Sequence, residues 1–336
     1  MYRIVIMRSL LHSGFCMKPL LRLLQDGQFH SGEELGAAIG VSRAAIWKRL
    51  QALEAEFDLS IHKVRGRGYR LEAPLSLLSS ELLAGAGAWP VTLLQQVDST
   101  NAESQRQLAT GAKPPFLIIA EQQTAGRGRR GRSWVSPFGE NLYYSLVLRI
   151  TGGMRQIEGL SLVVGLALLH AIRDAGVNDV GLKWPNDLLV NGRKVAGILL
   201  ELSGDPADVC HVVIGVGVNI NMRNVPGDVI DQPWTSIRQV LGEQVDRNRF
   251  VDRLNLQLQR YLDSHGRNGF AALRSEWEAN HLWQGRAVSL AAGVQSVEGR
   301  VLGVDDTGAL RLDVDGVEHV FSGGELSLRL RDDSRA

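Results

Sequence analysis

The sequence has few cysteines and no long uninterrupted apolar stretch. Only two of its 336 residues are cysteines, Cys16 and Cys210. Two cysteines cannot build a disulfide framework, so we expect the chain to work in a reducing cytosol. No segment approaches the roughly 18–20 consecutive apolar residues of a membrane-spanning helix, so we expect no membrane partner.

The chain also lacks a large excess of charge of either sign. Its 37 Lys and Arg residues balance 36 Asp and Glu residues, which leaves a formal net charge of +1. Any binding of nucleic acid must therefore come from a local basic patch. The eight histidines show no metal-ligand spacing, and we find no convincing Ser/His/Asp or Cys/His arrangement. These absences argue against a zinc enzyme and against catalysis through a covalent enzyme intermediate.

The first sixteen residues stand apart from the rest of the chain. Met1–Cys16 is mildly apolar, but it contains charged residues and has no small-residue cleavage site, so we do not interpret it as a signal peptide. A second methionine, Met17, stands where a helical pattern begins. We therefore expect residues 1–16 to be an upstream extension or a mis-assigned start.

Residues 17–73 have the pattern of a winged helix-turn-helix. Ser31 and Glu34 have the spacing of a capping box, and Ser42 is placed to cap a third helix whose apolar face holds Ile46 and Leu50. A short hairpin follows, and seven of the nine Lys and Arg residues of positions 17–72 lie in the third helix and this wing. The candidate DNA contacts are Ser42, Arg43, Lys48, Arg49, Arg65 and Arg67. The alternative is a helical protein-interaction module, and Trp47 could equally pack the domain or touch a base.

The most distinctive stretch is the Arg/Gly loop, Gly126–Arg132, in which four arginines alternate with three glycines. Each guanidinium is a planar fork that can clamp a phosphate or a carboxylate. Each glycine lets the backbone bend and approach a ligand closely. The loop is therefore suited to wrapping an anion, although a solvated basic loop or a nucleic-acid contact has the same composition.

Several further segments predict the elements around this loop. A strand at Val91–Val97 runs into Asp98–Asn101, where Thr100 and Glu103 have capping-box spacing, and simple helix capping would explain these residues too. Asn191-Gly192 predicts a type I′ hairpin, hence antiparallel pairing in the central sheet. Because no Gly-x-Gly-x-x-Gly turn follows the first strand, the central domain is not a Rossmann unit.

Downstream, we expect Trp234–Leu241 to be helical and Cys210 to be a packing residue. Short alternating strands separated by Gly/Asp turns between Gly285 and Leu330 predict a small all-β barrel.

The order of these motifs resembles one family closely. The motifs that show this resemblance are Asp98–Asn101, the Arg/Gly loop, Lys183-Trp184-Pro185-Asn186-Asp187, Lys194–Leu199, Gly215–Asn219 and a late Gly323-Gly324-Glu325. Together with the winged helix, they resemble the bifunctional biotin–protein ligases that also repress the biotin operon. The resemblance runs from about Met17 to Arg331.

The resemblance implies a multidomain α+β fold. Residues 17–73 would form a winged helix-turn-helix DNA-binding domain. Residues 74–283 would form a central α/β domain like that of class II aminoacyl-tRNA synthetases, which binds biotin and ATP. Residues 284–331 would form an SH3-like C-terminal β-barrel.

The resemblance also implies a role for individual residues. Biotin would be contacted by Ser99, Thr100, Asn101, Gln123, Arg127, Gly128, Arg129 and Lys194. ATP and the adenylate would be bound by Arg129, Arg132, Lys183, Asn186, Asn219 and Trp234, although Arg132 could simply solubilise the loop and Trp234 could be core. Arg129, Lys183, Lys194 and Asp187 would carry catalysis, with Asp187 holding Mg²⁺ directly or through water. Lys183 and Asp187 could instead form a strand-end ion pair, and we expect Trp134 and Trp184 to be framework residues.

The implied activity is the attachment of biotin to a protein lysine. ATP would convert biotin to biotinyl-5′-adenylate, which would then acylate a lysine of a biotin carboxyl carrier protein. The adenylate would also promote a homodimer that binds operator DNA. Three alternatives remain open at this point: a lipoate or octanoate–protein ligase, a ligand-sensing repressor without catalysis, and a ligase whose winged helix does not bind DNA.

Overall fold

The computed structural model describes residues 18–85, 89–151, 153, 156–204, 209–224, 229–292, 295–323 and 326–331. The proposed extension at 1–16 and the residues Gly324 and Glu325 of the late glycine motif lie outside these ranges. The described residues form two compact units. One comprises the residues up to Leu78 together with Pro137–Glu140, and the other comprises Ser79–Ser136 and the residues from Asn141 onward.

The first unit has three helices and a two-stranded wing. Helix α1 covers residues 18–24, α2 covers Gly32–Ile39 and α3 covers Arg43–Phe57. The wing pairs β1 (Ile61–Val64) with β2 (Gly68–Leu71) in antiparallel register. Both predicted caps are confirmed. Ser31 and Glu34 form a complete capping box, and the Ser42 hydroxyl accepts a hydrogen bond from the Ala45 amide at 3.3 Å.

The core of the first unit is apolar and includes a residue from far along the chain. Ile46, Leu50 and Leu53 of α3 are fully buried against the leucines of α1, as the helical spacing predicts. Phe138 packs in the same core, with its ring centroid 4.3 Å from that of Phe57. The Pro137–Glu140 segment thus supplies a side chain to the helix-turn-helix core.

A seven-stranded mixed sheet forms the centre of the second unit, with strand order β3-β4-β5-β9-β8-β7-β6. Its strands are β3 (Val91–Val97), β4 (Phe116–Gln123), β5 (Leu142–Thr151), β6 (Val180–Lys183), β7 (Asp187–Val190), β8 (Arg193–Gly204) and β9 (Val209–Val218). Only β3 and β4 pair in parallel, and the other neighbours are antiparallel. Asn191 and Gly192 have φ values of 50° and 74°, as the predicted I′ turn requires.

Six helices accompany this sheet: α4 (Ser80–Gly85), α5 (Thr100–Ala109), α6 (Leu160–Asp174), α7 (Ile237–Leu241), α8 (Arg247–Asn268) and α9 (Arg274–Ala279). Helices α5 and α6 pack against the sheet, and α8 packs against α6. Cys210 is buried in β9, as predicted. No helix among the described residues is both long and apolar enough to cross a membrane.

The C-terminal segment forms a five-stranded antiparallel sheet of order β13-β12-β11-β10-β14. Its strands are β10 (Ala287–Ala292), β11 (Gln295–Val304), β12 (Leu310–Val314), β13 (Val317–Phe321) and β14 (Leu326–Leu330). The short strands expected between Gly285 and Leu330 are thus present.

Two local expectations are wrong. Ser99, not Thr100, caps α5, and its hydroxyl accepts from the Ala102 amide. Thr100 is instead held by Gln123 and Ser145, so its hydroxyl is not available for capping. The predicted helix at Trp234–Leu241 begins only at Ile237, because Trp234 forms a parallel bridge with Lys194 and Ser236 provides the cap.

Candidate functional site

The central sheet gathers the ends of several strands at one edge. Strands β3, β4 and β9 run in the same direction, so the residues that follow them meet there, together with the start of β8. Ser99 follows β3, Gln123 ends β4, Asn219 follows β9, and Lys194 lies at the start of β8. Residues distant in the chain therefore surround one pocket.

Every residue that the sequence assigned to biotin, ATP or catalysis lines this pocket. The set comprises Ser99, Thr100, Asn101, Gln123, Arg127, Gly128, Arg129, Arg132, Lys183, Asn186, Asp187, Lys194, Asn219 and Trp234. The sequence gives the order of these positions along the chain but not the distances between them. Their convergence is the main structural result for the site.

A polar network holds the inner wall of the pocket. Gln123 Oε1 accepts from the Thr100 amide at 2.9 Å, and Gln123 Nε2 donates to Ser136 Oγ at 3.1 Å. The buried Ser145 Oγ lies 2.8 Å from Thr100 Oγ1 and 2.6 Å from Asn101 Oδ1. Donors and acceptors with fixed directions suit a small polar ring such as a ureido group, which needs partners once buried.

The Arg/Gly loop is a narrow hairpin with a 3₁₀ turn at its tip. The Trp134 amide donates to Gly126 O at 2.9 Å, and the Gly128 amide donates to Arg132 O at 2.7 Å. The turn covers Arg129–Gly131, and Arg130 adopts a left-handed φ of 60°. The sequence did not predict this conformation, because left-handed backbone is uncommon outside glycine.

The arginines of the loop reach different partners. Arg127 Nη2 lies 3.2 Å from Glu201 Oε2 on β8, and Arg129 Nη1 donates to Asn186 Oδ1 at 2.9 Å. Arg132 lies 4.0 Å from the exposed Asp231, which also lines the pocket. Arg127 thus connects the loop to strand β8, and Arg129 connects it to the turn between β6 and β7.

Two lysines share one carboxylate in the pocket. Asp187 lies 2.7 Å from Lys194 Nζ and 3.7 Å from Lys183 Nζ, so the suggested ion pair of Lys183 and Asp187 exists inside the pocket. Burial is the main influence on Lys183 and lowers its pKa, while the adjacent Asp187 carboxylate opposes this shift. Arg129 lines the same pocket as these two lysines, and such a concentration of cationic groups suits the binding of further anions.

Aromatic rings complete the site. Lys194 Nζ lies 5.4 Å from the centroid of the Trp134 ring, which also lines the pocket. Gly217 lies under this ring, where an added methyl group would collide with it, and a methyl group at Gly197 would make a tight contact with Lys194 and the ring. We expected Trp134 to be framework, whereas it forms part of the pocket wall. Trp184 is buried and donates its indole N–H to Gly308 O at 3.1 Å, which is a framework contact as expected.

Sequence reasoning missed Ser145 and Glu201. Both contact predicted biotin-binding residues, but each is a single polar residue in a strand without motif spacing. Only their alternation between two faces of the sheet could have directed attention to them.

The predicted DNA contacts lie on the first unit. Arg43, Lys48, Arg65 and Arg67 are exposed, and the Arg67 guanidinium lies 4.3 Å from the centroid of the Phe29 ring. Arg49 is only partly exposed. Trp47 is 46% exposed, so part of its ring is accessible on the same helix.

Comparisons with known proteins agree with this architecture. The family described as "Biotin/lipoate A/B protein ligase family" matches residues 93–219, an HTH domain matches 18–70, and the "Biotin protein ligase C terminal domain" matches 285–329. The fold and pocket therefore define a protein of the biotin/lipoate ligase class with a helix-turn-helix domain.

Individual relatives narrow the class. The chain is 40% identical over 311 residues to the bifunctional ligase/repressor BirA of Escherichia coli, covering 92% of this chain and 96% of that protein. It is 32% identical to the bifunctional ligase/repressor BirA of Bacillus subtilis, covering 91% and 96%. A biotin protein ligase from Aquifex aeolicus, solved with biotin and ATP, aligns with a TM-score of 0.63 and 28% identity over 72% of this chain and 99% of that one. The chain belongs to the family of bifunctional biotin ligase/repressors.

Proposed function

We propose that the chain is an ATP-dependent biotin–protein ligase that also represses transcription. The single observation that carries the catalytic part is the convergence of all fourteen predicted ligand and catalytic residues on one pocket. Biotin carboxylate and ATP repel one another, so a site that joins them needs cations placed around both. Lys183 and Lys194, which pair with Asp187, and Arg129, which lines the same pocket, supply those cations.

The roles that we propose for individual residues are those that the family resemblance implies, and their shared pocket supports them. Thr100 and Gln123, with Ser99, Asn101, Arg127 and Gly128, would bind biotin at the inner wall. Lys194 would hold the carboxylate and afterwards the α-phosphate, while Arg129 would retain the adenylate. Lys183, Asn186, Arg132, Asn219 and Trp234 would bind the nucleotide, with the Trp234 ring against the adenine.

A magnesium ion fits this site only when ATP supplies most of its ligands. Among the described residues, no group of three or more His, Cys, Asp or Glu side chains could hold a metal. Mg²⁺ commonly takes one or two carboxylates together with substrate phosphates, and Asp187 can provide one. The ion would neutralise phosphate charge, while the lysines and Arg129 orient the substrates.

The finer architecture and the partners belong to the same proposal. The mixed sheet with its helices fits a class II aminoacyl-tRNA synthetase-like domain, and the C-terminal antiparallel sheet fits an SH3-like barrel. We assign residues 17–73, 74–283 and 284–331 to the three domains. The acceptor would be a lysine of a biotin carboxyl carrier protein in the cytoplasm. A homodimer formed with bound adenylate would bind operator DNA through the winged helices.

A substrate panel tests the catalytic proposal. The protein is mixed with MgATP and, separately, biotin, lipoate or octanoate, and pyrophosphate release is measured together with acylation of a carrier domain by intact mass. Of the three acids, only biotin should give both pyrophosphate release and acylation of the carrier domain. Activity only with lipoate or octanoate would transfer the chain to the sister ligases, and biotin binding without pyrophosphate release would indicate a sensor without catalysis.

A further inference from the structure

Glu201 connects two parts of the pocket, although it does not line the pocket itself. This glutamate lies on β8 with 27% of its side chain exposed. Its Oε2 accepts a hydrogen bond from Asn101 Nδ2 at 2.7 Å and another from Arg127 Nη2 at 3.2 Å. One oxygen therefore joins the start of helix α5 to the first arginine of the Arg/Gly loop.

The Asn101 side chain is fixed from every side. Its Oδ1 lies 2.6 Å from the buried Ser145 Oγ, and its Nδ2 is directed toward Glu201 and Leu199 O. Gly215 lies against this amide, where a methyl group would collide with it. Because Asn101 is only 4% exposed, the carboxylate of Glu201 is itself held in place by a rigid buried group.

Arg127 has the opposite character, because it is exposed and begins a glycine-rich segment that is costly to order. The Glu201 contact is placed at the neck of the loop, next to the bridge between Arg127 and Ser133. Fixing Arg127 to a rigid acceptor would therefore lower the cost of ordering the loop around a ligand.

We infer that Glu201 is a positioning residue of the biotin site, which acts by holding Arg127 and the neck of the Arg/Gly loop against Asn101. The inference rests on the proposed function, since it concerns the same pocket. Glu201 would not touch biotin or the reacting atoms. Its removal should weaken biotin binding and leave the adenylation step itself unchanged.

Glu201→Gln removes the negative charge and keeps one acceptor oxygen at this position. The amide oxygen of glutamine can still accept from Asn101, whereas Arg127 loses the carboxylate of its ion pair. We expect the Kd for biotin to rise about tenfold while kcat at saturating biotin stays within about twofold. Trypsin should cut the loop faster in the free variant than in the wild type, with the difference removed by saturating biotin.

Glu103→Gln is a matched control. Glu103 is 24% exposed, pairs with Arg106 at 2.8 Å and lies on the helix that carries Asn101, but it makes no loop contact. Arg106 keeps its contacts with Asp98 in this variant. The Kd for biotin and the rate of loop cleavage should both equal those of the wild type.

A double-mutant cycle with Arg127→Met completes the test. If Glu201 acts through Arg127, Glu201→Gln should have no further effect on the Kd for biotin in the Arg127→Met background. Equal effects in both backgrounds, an unchanged or lower Kd in Glu201→Gln, or a loss confined to kcat would each overturn the inference. The proposed function fails separately. It is overturned if the wild-type protein shows no biotin-dependent pyrophosphate release.

Discussion

At the scale of single residues, the pocket depends on charges held close together out of water. Lys183 illustrates this, because burial lowers its pKa below the ordinary lysine value. In the folded state the charged form is disfavoured, so Lys183 reduces stability below its lowered pKa, and this cost disappears as the pH rises from that pKa to the ordinary lysine pKa of the unfolded chain. Because its pKa is lowered, Lys183 loses its positive charge at a lower pH than an exposed lysine does.

Lys183→Arg tests that consequence. Arginine stays charged throughout the accessible range, so we expect the alkaline fall in kcat/KM for ATP to move to higher pH in the variant, even if its maximum is lower. Biotin-dependent pyrophosphate exchange between pH 7 and 11 measures this without the acceptor lysine. An unchanged alkaline limb would assign the titration to another group.

Residue identities were predictable where a motif carries them. The Arg/Gly loop indicates anion binding because arginines and glycines cluster in it, whereas the role of the Lys183–Asp187 segment came from the family resemblance. Ser145 and Glu201 were not predictable, because a lone serine or glutamate in a strand has no spacing to distinguish it. Trp134 was expected to be a framework residue, because the sequence does not show that glycines lie beneath its ring in the pocket wall.

At the scale of elements, strand β9 shapes the pocket because it has no side chain at Gly217. A methyl group at Gly217 would lie 2.5 Å from Trp134 Cε2, so Gly217→Ala should push the indole into the pocket. We expect the KM values for biotin and ATP to rise at least about tenfold with little loss of fold, because the ring faces open space. Steady-state kinetics and the melting temperature measure the two effects.

Gly266→Ala provides the comparison. Gly266 lies in helix α8 with no atom within 4 Å of an added methyl group. Alanine is the better helix former by up to about 1 kcal/mol, so the variant should melt slightly higher and keep wild-type KM values. Equal kinetics in Gly217→Ala and Gly266→Ala would contradict the proposed role of β9.

Helix α3 carries a second test at this scale. Trp47 is 46% exposed among basic residues, so Trp47→Ala should change the melting temperature little. If the ring contacts DNA, operator affinity in a gel shift should fall about fivefold or more. Unchanged affinity would leave DNA contact to the charged residues of the helix and wing.

The elements were largely predictable because caps, turns and periodicity are local. The capping box of α2 and the Asn-Gly hairpin are encoded within a few residues. The two errors have long-range causes. Thr100 is engaged by Gln123 and Ser145, and the segment at Trp234 pairs with Lys194, so tertiary partners overrode local preference in both cases.

At the scale of the whole molecule, ligand binding and DNA binding are expected to be linked. We predict that biotin and ATP supplied together raise operator affinity, whereas either one alone does not, because only the adenylate would promote the dimer. Gel shifts and sedimentation on the same samples measure affinity and mass. Constant affinity with full pyrophosphate release would describe a ligase without ligand-controlled repression.

The packing of Phe138 among the helices of the first unit has a practical consequence for the design of truncated proteins. A fragment that stops at Leu78 would lack the ring that stacks on Phe57, and the complementary fragment would carry that ring without its apolar surroundings. A single cut cannot separate the two modules cleanly. Shuffling them between relatives would require exchanging Pro137–Glu140 along with the N-terminal segment.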